Sequence, residues 1–387
     1  MRILMVPLAA LASTMGSQNR VKQLMESFIE AGFEVATCAA KDLNYKEQEG
    51  ITNFFLETPI PMGLPSWLGK NFFQLASKTG LSRRKTVHSF DEVLFLTGAI
   101  NEAYFRKAVA CVRKAIRQYQ PDIVYSEFNL SAIVAAKVEG IRLFTNYSYP
   151  VQPSYAASAK LAKGINKVLE ELSLPTVNYV QEIFSWAEYQ IVPSSYELEP
   201  ILGEKVIFTG PFDSYKTHET VRASSERNKI LAYMGSGTIT NRVLINELQD
   251  AFKGSKYEVY IAASGEKEQT KDNIHIASFI DFKALLPEAA VLIHHGGQNS
   301  MMDALRFGVP QLICPGKVFE RKYNGESMAM REAGIVIDEK DFMSSSLREA
   351  VTILTERKIF RKNSERLWQD IKKLGGAKRI INIINSK

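Results

Sequence analysis

The sequence predicts an α/β protein of two Rossmann-like domains, each built on a parallel sheet. Three observations predict it. At 387 residues the chain is longer than one ordinary core requires and suits two. Short apolar runs alternate with amphipathic stretches in both halves, the rhythm of strand–helix–strand units. The apolar runs also lack a polar face, and strands hydrophobic on both sides need helices on both sides.

In the N-terminal half, residues 2–7 (RILMVP) read as a first buried strand. A polar loop, STMGSQNR, leads into a helix over VKQLMESFIEAG, where Val21, Leu24, Met25 and Phe28 have helical spacing and Gly32 marks the end. FEVATCAA is the next strand. Further on come the strand PDIVYSE (121–127), the helix SAIVAAKVEG (131–140) and the strand IRLFTNYS. The stretch 58–85 breaks the rhythm with prolines, glycines and aromatics and reads as a long loop with short helices. It either lines an apolar ligand pocket or forms a satellite hydrophobic cluster.

Gly210-Pro211 and the polar run behind them read as an interdomain linker. This predicts an N-terminal domain over 1–208, a linker over 209–228 and a C-terminal domain over 229–370. A last helix, 371–387, is free to pack back on the first domain. Strands of the second domain are expected in ILAYMGSGT (230–238), YEVYIAAS (257–264), NIHIAS (273–278), AAVLIHHGG (289–297), QLICPG (311–316) and IVID (335–338), with a Lys-rich helical end from 346.

Hydrophobic residues make up 45% and charged residues 23%, the balance of a soluble globular protein. The net charge of +6 sits mostly in the second half, which holds 27 Lys+Arg against 22 Asp+Glu, while residues 1–210 hold 21 against 20. An anionic ligand would be welcome there. No Lys/Arg stripe interleaved with aromatics points to nucleic acid. Cys38, Cys111 and Cys314 are far apart, imply no disulfide framework and have no zinc-ligand spacing, so a cytoplasmic location is expected. The opening MRILMVPLAALA imitates a signal peptide, but it is too short to span a membrane and Pro7 interrupts it. No integral membrane segment is expected elsewhere.

The sharpest chemical signal is LIHHGGQNSMMDALRFGVPQLICPG (292–316). A strand runs into His-His-Gly-Gly, and Gln-Asn-Ser opens a helix. Glycines at such a turn let backbone N–H groups approach an anion, and the helix N-terminus adds its own donors and the positive end of its dipole. Asn299 and Ser300 lie in the first turn, and Asp303 follows about one turn later on the same side. This suits a nucleotide phosphate with a carboxylate near the ribose. A plain glycine turn with a capping Asn or Ser is the alternative.

The segment His295-Gly296-Gly297-Gln298-Asn299-Ser300-Met301-Met302-Asp303 resembles the signature of the family-1, UDP-sugar-dependent glycosyltransferases. The plant form reads His-Cys-Gly-Trp-Asn-Ser-x-x-Glu, and the bacterial natural-product form, with paired His and paired Gly, is closer still. Gly308-Val309-Pro310 and Pro315 follow at the family's spacing. The resemblance implies the GT-B fold, in which two Rossmann-like domains face each other across a cleft. It implies that His295 donates to a donor phosphate, that Asn299, Ser300 and the Gly297 amide hold the phosphates, with Gly296 in the same turn, and that Asp303 accepts from ribose hydroxyls. A ribose-binding carboxylate favours a UDP-sugar donor. Ser236, Gly237 and Thr238 resemble the small loop that approaches the diphosphate. Phe279 would stack on uracil and the Ile280 backbone would read its edge, although by hydrophobicity alone Phe279 belongs in the core. Glu320 and Arg321 match the residues facing the donor sugar, with Arg321 replacing an amide.

The resemblance departs at the N-terminus. Its catalytic Gly-His-x-x-Pro falls on Gly16-Ser17-Gln18-Asn19-Arg20, so Ser17 stands where the general base is expected. Serine cannot deprotonate a hydroxyl unaided. Glu127, which matches the carboxylate that orients that base, is the candidate to replace it, directly or through water held by Ser17. An acceptor needing little activation is an alternative, and His88 is a further candidate base. The implied activity is inverting transfer of a sugar to a small apolar acceptor, independent of metal and needing no cofactor beyond the nucleotide-sugar. No Asp-x-Asp motif occurs. A homodimer is compatible with this reading. A sugar-nucleotide epimerase and a non-catalytic sugar-nucleotide-binding protein are the rivals; a dehydrogenase is disfavoured because no Gly-x-Gly-x-x-Gly follows the first strand.

Overall fold

A computed structural model describes residues 1–9, 16–41, 47–64, 86–212, 227–235 and 237–386, and only the backbone of residues 16–18. The chain divides into two compact units. One holds Met1–Ser82, Val87–Ser214 and Leu374–Lys387, and the other is centred on Tyr215–Lys373.

Among the described residues the first unit contains a seven-stranded parallel sheet. Its strands are β1 (Arg2–Pro7), β2 (Glu34–Ala40), β3 (Thr52–Leu56), β4 (Ile123–Glu127), β5 (Arg142–Asn146), β6 (Tyr189–Val192) and β7 (Val206–Phe208), in the order β3-β2-β1-β4-β5-β6-β7. The second unit has β8 (Lys229–Tyr233), β9 (Glu258–Ala262), β10 (Gln269–Lys271), β11 (Ile274–Ala277), β12 (Ala289–His294), β13 (Gln311–Ile313) and β14 (Gly334–Val336), in the order β10-β11-β9-β8-β12-β13-β14. Only β10 runs antiparallel in it. The central strands β4 and β12 are buried at every residue, as the two-sided apolar runs require.

Both sheets reverse their winding once, between β1 and β4 in the first and between β8 and β12 in the second. Connections depart in opposite directions at such a point and leave a crevice beyond the carboxyl ends of the two strands. The topology therefore nominates two places for ligands before any side chain is considered.

The helix after β1 runs from Gly16 to Glu30, five residues earlier than apolar spacing predicts. Its polar first turn is anchored by Arg20, whose guanidinium binds Glu127 at 2.9 Å. Leu24, Met25 and Phe28 pack into the first core, where each buried side chain of this size contributes ~1.5–3 kcal/mol. The C-terminal region forms three helices, Ser344–Glu356, Lys358–Ile371 and Gly376–Asn385. The last one buries Ala377, Ile380 and Ile384 in the core of the first unit, and the Gly376 N–H donates to the Thr209 carbonyl at 2.7 Å. The expected aromatic loop lies outside the described residues from 65 to 85, and of the expected linker residues 213–226 do. No helix among the described residues is long and apolar enough to cross a membrane.

Candidate functional site

In the second unit, the β8 and β12 crevice is walled by the segments that follow these strands. β12 ends at His294, and Gly296 has a left-handed φ of 83°. A Cβ there would lie 2.8 Å from the Arg321 carbonyl oxygen, so the chain needs glycine for conformation and for space. Gly297 is the N-cap of the helix Gln298–Arg306 and has no side chain with which to cap it. No side chain at the N-cap position therefore stands between the helix start and the crevice. Across from them Gly237 approaches the His295 Cβ so closely that an added Cβ would stand 3.3 Å away. Ser236 lies outside the described residues.

His294 is fully buried and fixes this turn. The Gly296 N–H donates to its Nδ1 (3.2 Å), which places the proton on Nε2, facing Gln311 Oε1 at 2.9 Å. Gln311 in turn donates to the Met301 carbonyl in the helix Gln298–Arg306 (3.3 Å). One hydrogen-bond chain thus ties the strand end, the glycine turn and the helix together. Burial pushes the His294 pKa down to about 4, so the ring is neutral at pH 7.

His295 is half-buried, with its ring 5.7 Å from that of Tyr233 in edge contact. Desolvation, reinforced by the Arg321 charge, holds its pKa well below the ordinary value. Among the described residues its Nδ1 and the Thr238 Oγ1 are enclosed without a hydrogen-bond partner of good geometry, although the Tyr233 backbone acts on the His295 ring and partly offsets the lowering of its pKa. Unsatisfied enclosed polar atoms are uncommon and costly in folded proteins. Two of them at one glycine-lined crevice fit a ligand rich in acceptor oxygens, which a diphosphate is.

Asn299 and Ser300 stand half-buried in the first turn, and Asp303 one turn on, as the spacing predicts. Asp303 has Lys283 Nζ at 3.8 Å. Lys283 belongs to the short helix Phe282–Leu285, which Asp281 caps, and so ties the Phe279 loop to the helix Gln298–Arg306. Phe279 is 81% exposed, contrary to the core placement that hydrophobicity alone suggests, and it offers an open face for stacking. Ile280 beside it is half-buried. Glu320 and Arg321 open the helix Phe319–Met330, Glu320 exposed and Arg321 half-buried. From the next turn Asn324 donates to the Gly296 carbonyl at 2.9 Å.

The first unit's crevice has a different character. A small apolar pocket there is lined by Leu8, Ala9, Ile100, Tyr104, Leu130 and Ser131 among others. Glu127, at the end of β4, is only 1% exposed. Arg20 donates to its Oε1 from Nε and Nη2, at 3.1 and 2.9 Å, and Asn146 donates to its Oε2. Asn146 in turn accepts from the Tyr125 hydroxyl at 2.7 Å. Phe128, the next residue, holds φ at 57°, a strained value for an aromatic residue, and Arg20 lies 6.0 Å from its ring centre. These contacts alter the expectation for Glu127, because both of its oxygens are engaged and a direct proton transfer would break the pair with Arg20. Ser17 falls in the first helical turn, with its side chain outside the described residues. His88 is exposed and paired with Glu92 at 3.3 Å.

Sequence reasoning missed Tyr233, Lys283 and Arg20. Each reaches the sites through partners distant in sequence, which no local pattern displays.

Residues 257–381 match the model of the erythromycin biosynthesis protein CIII-like C-terminal domain. A stretch of 136 residues is 31% identical to the aclacinomycin-T 2-deoxy-L-fucose transferase of Streptomyces galilaeus, covering 34% of this chain and 31% of that protein. The chain has the GT-B fold of the solved glycosyltransferases it resembles, and its second unit resembles the C-terminal domain of natural-product glycosyltransferases. Over its greater length it is 23% identical to the uncharacterized UDP-glucosyltransferase YdhE of Bacillus subtilis, covering 87% of this chain and 86% of that one. In fold it is similar to the glycosyltransferase VinC in complex with dTDP, with a TM-score of 0.71 at 17% identity over 100% of this chain and 99% of that one. The family match includes the glycine turn and the helix Gln298–Arg306.

Proposed function

We propose that the chain transfers a sugar from a pyrimidine nucleoside diphosphate to a small apolar acceptor, inverting the anomeric centre and using no metal. The observation that carries this reading is the second crevice, where the enclosed, unpartnered His295 Nδ1 and Thr238 Oγ1 flank a glycine turn and an uncapped helix start. A donor diphosphate would accept hydrogen bonds from these groups and from the first-turn amides. Charge grows on that diphosphate as the bond to C1 breaks, and donors fixed in place stabilise it without reorganisation.

Asp303 would accept from the ribose, which supports UDP. Its pairing with Lys283 and the dTDP bound to VinC support thymidine diphosphate as the second reading. On the acceptor side, the mainly apolar side chains lining the small pocket beyond β1 and β4 support an apolar acceptor. Glu127 acts as the fixed anion that places Arg20, and the acceptor brings a hydroxyl acidic enough to need little activation, as a phenol does.

Mass spectrometry of acceptor mixtures with UDP- and dTDP-sugars tests the reading, with NMR to assign the anomeric product. The expected result is a glycosylated phenolic acceptor of inverted configuration, formed equally well in EDTA. Release of an epimeric sugar without any acceptor would replace it with the epimerase reading. Nucleotide binding with no turnover across the panel would replace it with a binding role.

A further inference from the structure

Gln311 opens β13, whose other residues, Leu312 and Ile313, are apolar and buried. It lies between Leu292 of β12 and Gly334 of β14 and is itself fully buried. Its backbone is gripped on the β14 side, where its N–H donates to the Ala333 carbonyl at 3.2 Å and a side chain on Gly334 would begin 2.8 Å from its carbonyl oxygen. A buried amide in such a strand costs stability unless its hydrogen bonds are made. The bonds it makes run to both ends of the turn between β12 and the helix Gln298–Arg306. Their direction is fixed by backbone groups, because the Gly296 N–H can only donate and the Met301 carbonyl can only accept. His294 therefore accepts at Nδ1 and carries its proton on Nε2, and Gln311 turns Oε1 to that proton and its amide nitrogen to Met301. Met301 also donates its N–H to the Gly297 carbonyl at 3.1 Å, and Asn324 holds the Gly296 carbonyl. Both backbone polar groups of Gly296 are thus bound within the protein, and His295 stands between two clamped residues.

We propose that Gln311 is a positioning residue for the donor diphosphate: by holding His294 in the Nε2–H tautomer it keeps the Gly296 turn, and His295 with it, in the geometry that receives phosphate. The inference rests on the donor-site reading above. Gln311 touches no ligand itself and acts through His294. Without Oε1 opposite it, the buried Nε2–H has no acceptor, and the proton gains by moving to Nδ1. There it would meet the Gly296 N–H, donor against donor. The turn would then open at Gly296 while the strand and the helix on either side remain.

Two measurements on the full chain test it. Nitrogen–proton NMR of the histidine-labelled protein, with His294→Gln to assign the signal, reads the tautomer. Calorimetric titration compares uridine and thymidine with UDP and dTDP. The parent should carry the His294 proton on Nε2. In Gln311→Met, a substitution of similar size, the Nδ1–H form should appear and the preference for diphosphate over nucleoside should fall about 10-fold, with nucleoside affinity unchanged. Gln311→Met with an unchanged tautomer or an unchanged preference would overturn the proposal. Equal weakening of nucleoside and diphosphate would do the same, because it marks a strand residue that only packs. If Gln311→Met fails to fold, the parent decides, since a His294 proton found on Nδ1 overturns the proposal without any variant. A parent that binds UDP and dTDP no better than their nucleosides would refute the donor-site reading, and the proposal with it, whichever tautomer is seen. That failure is distinct from a parent that prefers the diphosphate while Gln311→Met changes nothing.

Discussion

The two switch points share a topology and differ in chemistry. At the second, polar atoms are enclosed and left without partners, and the helix start is uncapped. At the first, the deeply buried carboxylate of Glu127 is held by Arg20 and Asn146, and the adjoining pocket is mainly apolar. The contrast separates a crevice with enclosed polar atoms lacking partners from one whose buried charge is matched within the protein. An open crevice at a reversal of strand order is common to both, and the state of its hydrogen bonds tells them apart.

The contrast breaks most sharply at His295. Replacing it with Ala should reduce kcat by roughly 10²–10³-fold, the range for removing one fixed donor from a developing anion, with little change in melting temperature. A stable variant with parental turnover would erase the difference between the two crevices.

Next in size is Glu127→Gln, which leaves Arg20 without its buried counter-charge. Breaking such a pair costs about 3–5 kcal/mol, so the unfolding midpoint in urea should fall markedly while UDP affinity stays constant. Full stability with abolished turnover would restore Glu127 as the proton acceptor.

Acidity sharpens the picture through His294. Its folded pKa of about 4 lies below the ordinary 6.5, so the unfolded chain binds the proton more readily. The contribution of the neutral ring is fully present above 6.5 and is lost as pH falls through about 4. Melting temperature should therefore show no His294-linked change between pH 7 and 8 and decline below 6.5, whereas UDP affinity should show no His294-linked change until pH approaches 4. In His294→Gln the acid slope should flatten, with a lower melting temperature already at pH 7.

The smallest effect is expected at Phe279. Its ring is mostly exposed, so Phe279→Ala should leave stability unchanged and weaken nucleotide binding by about 0.5–1.5 kcal/mol, measurable by titration. Equal loss of stability and binding would mark the ring as packing instead.

Much of this was legible in the sequence because its signals are local. The two-sided apolar runs announced β1, β4 and β12, and the His-Gly-Gly segment announced a tight turn into the helix that carries Asn299 and Ser300. The edge strand β7 and the β3 and β6 strands carry short or half-buried patterns and were not distinguishable from loops. The early start of the first helix escaped notice because Arg20 is fixed by a residue 107 positions away. Phe279 misled because hydrophobicity reports what a side chain prefers, and this ring is exposed against that preference. Tyr233 and Lys283 were invisible for the same reason as Arg20, since their partners come from other strands and helices.

The central claim is that the crevice between β8 and β12 holds the donor diphosphate, and one calorimetric comparison tests it most directly. UDP or dTDP should bind the parent at least ten times more tightly than its nucleoside, an advantage of about 1.4 kcal/mol, and His295→Ala should lose most of that advantage. Equal affinity for nucleoside and diphosphate in the parent, or an advantage that survives in His295→Ala, would contradict the account.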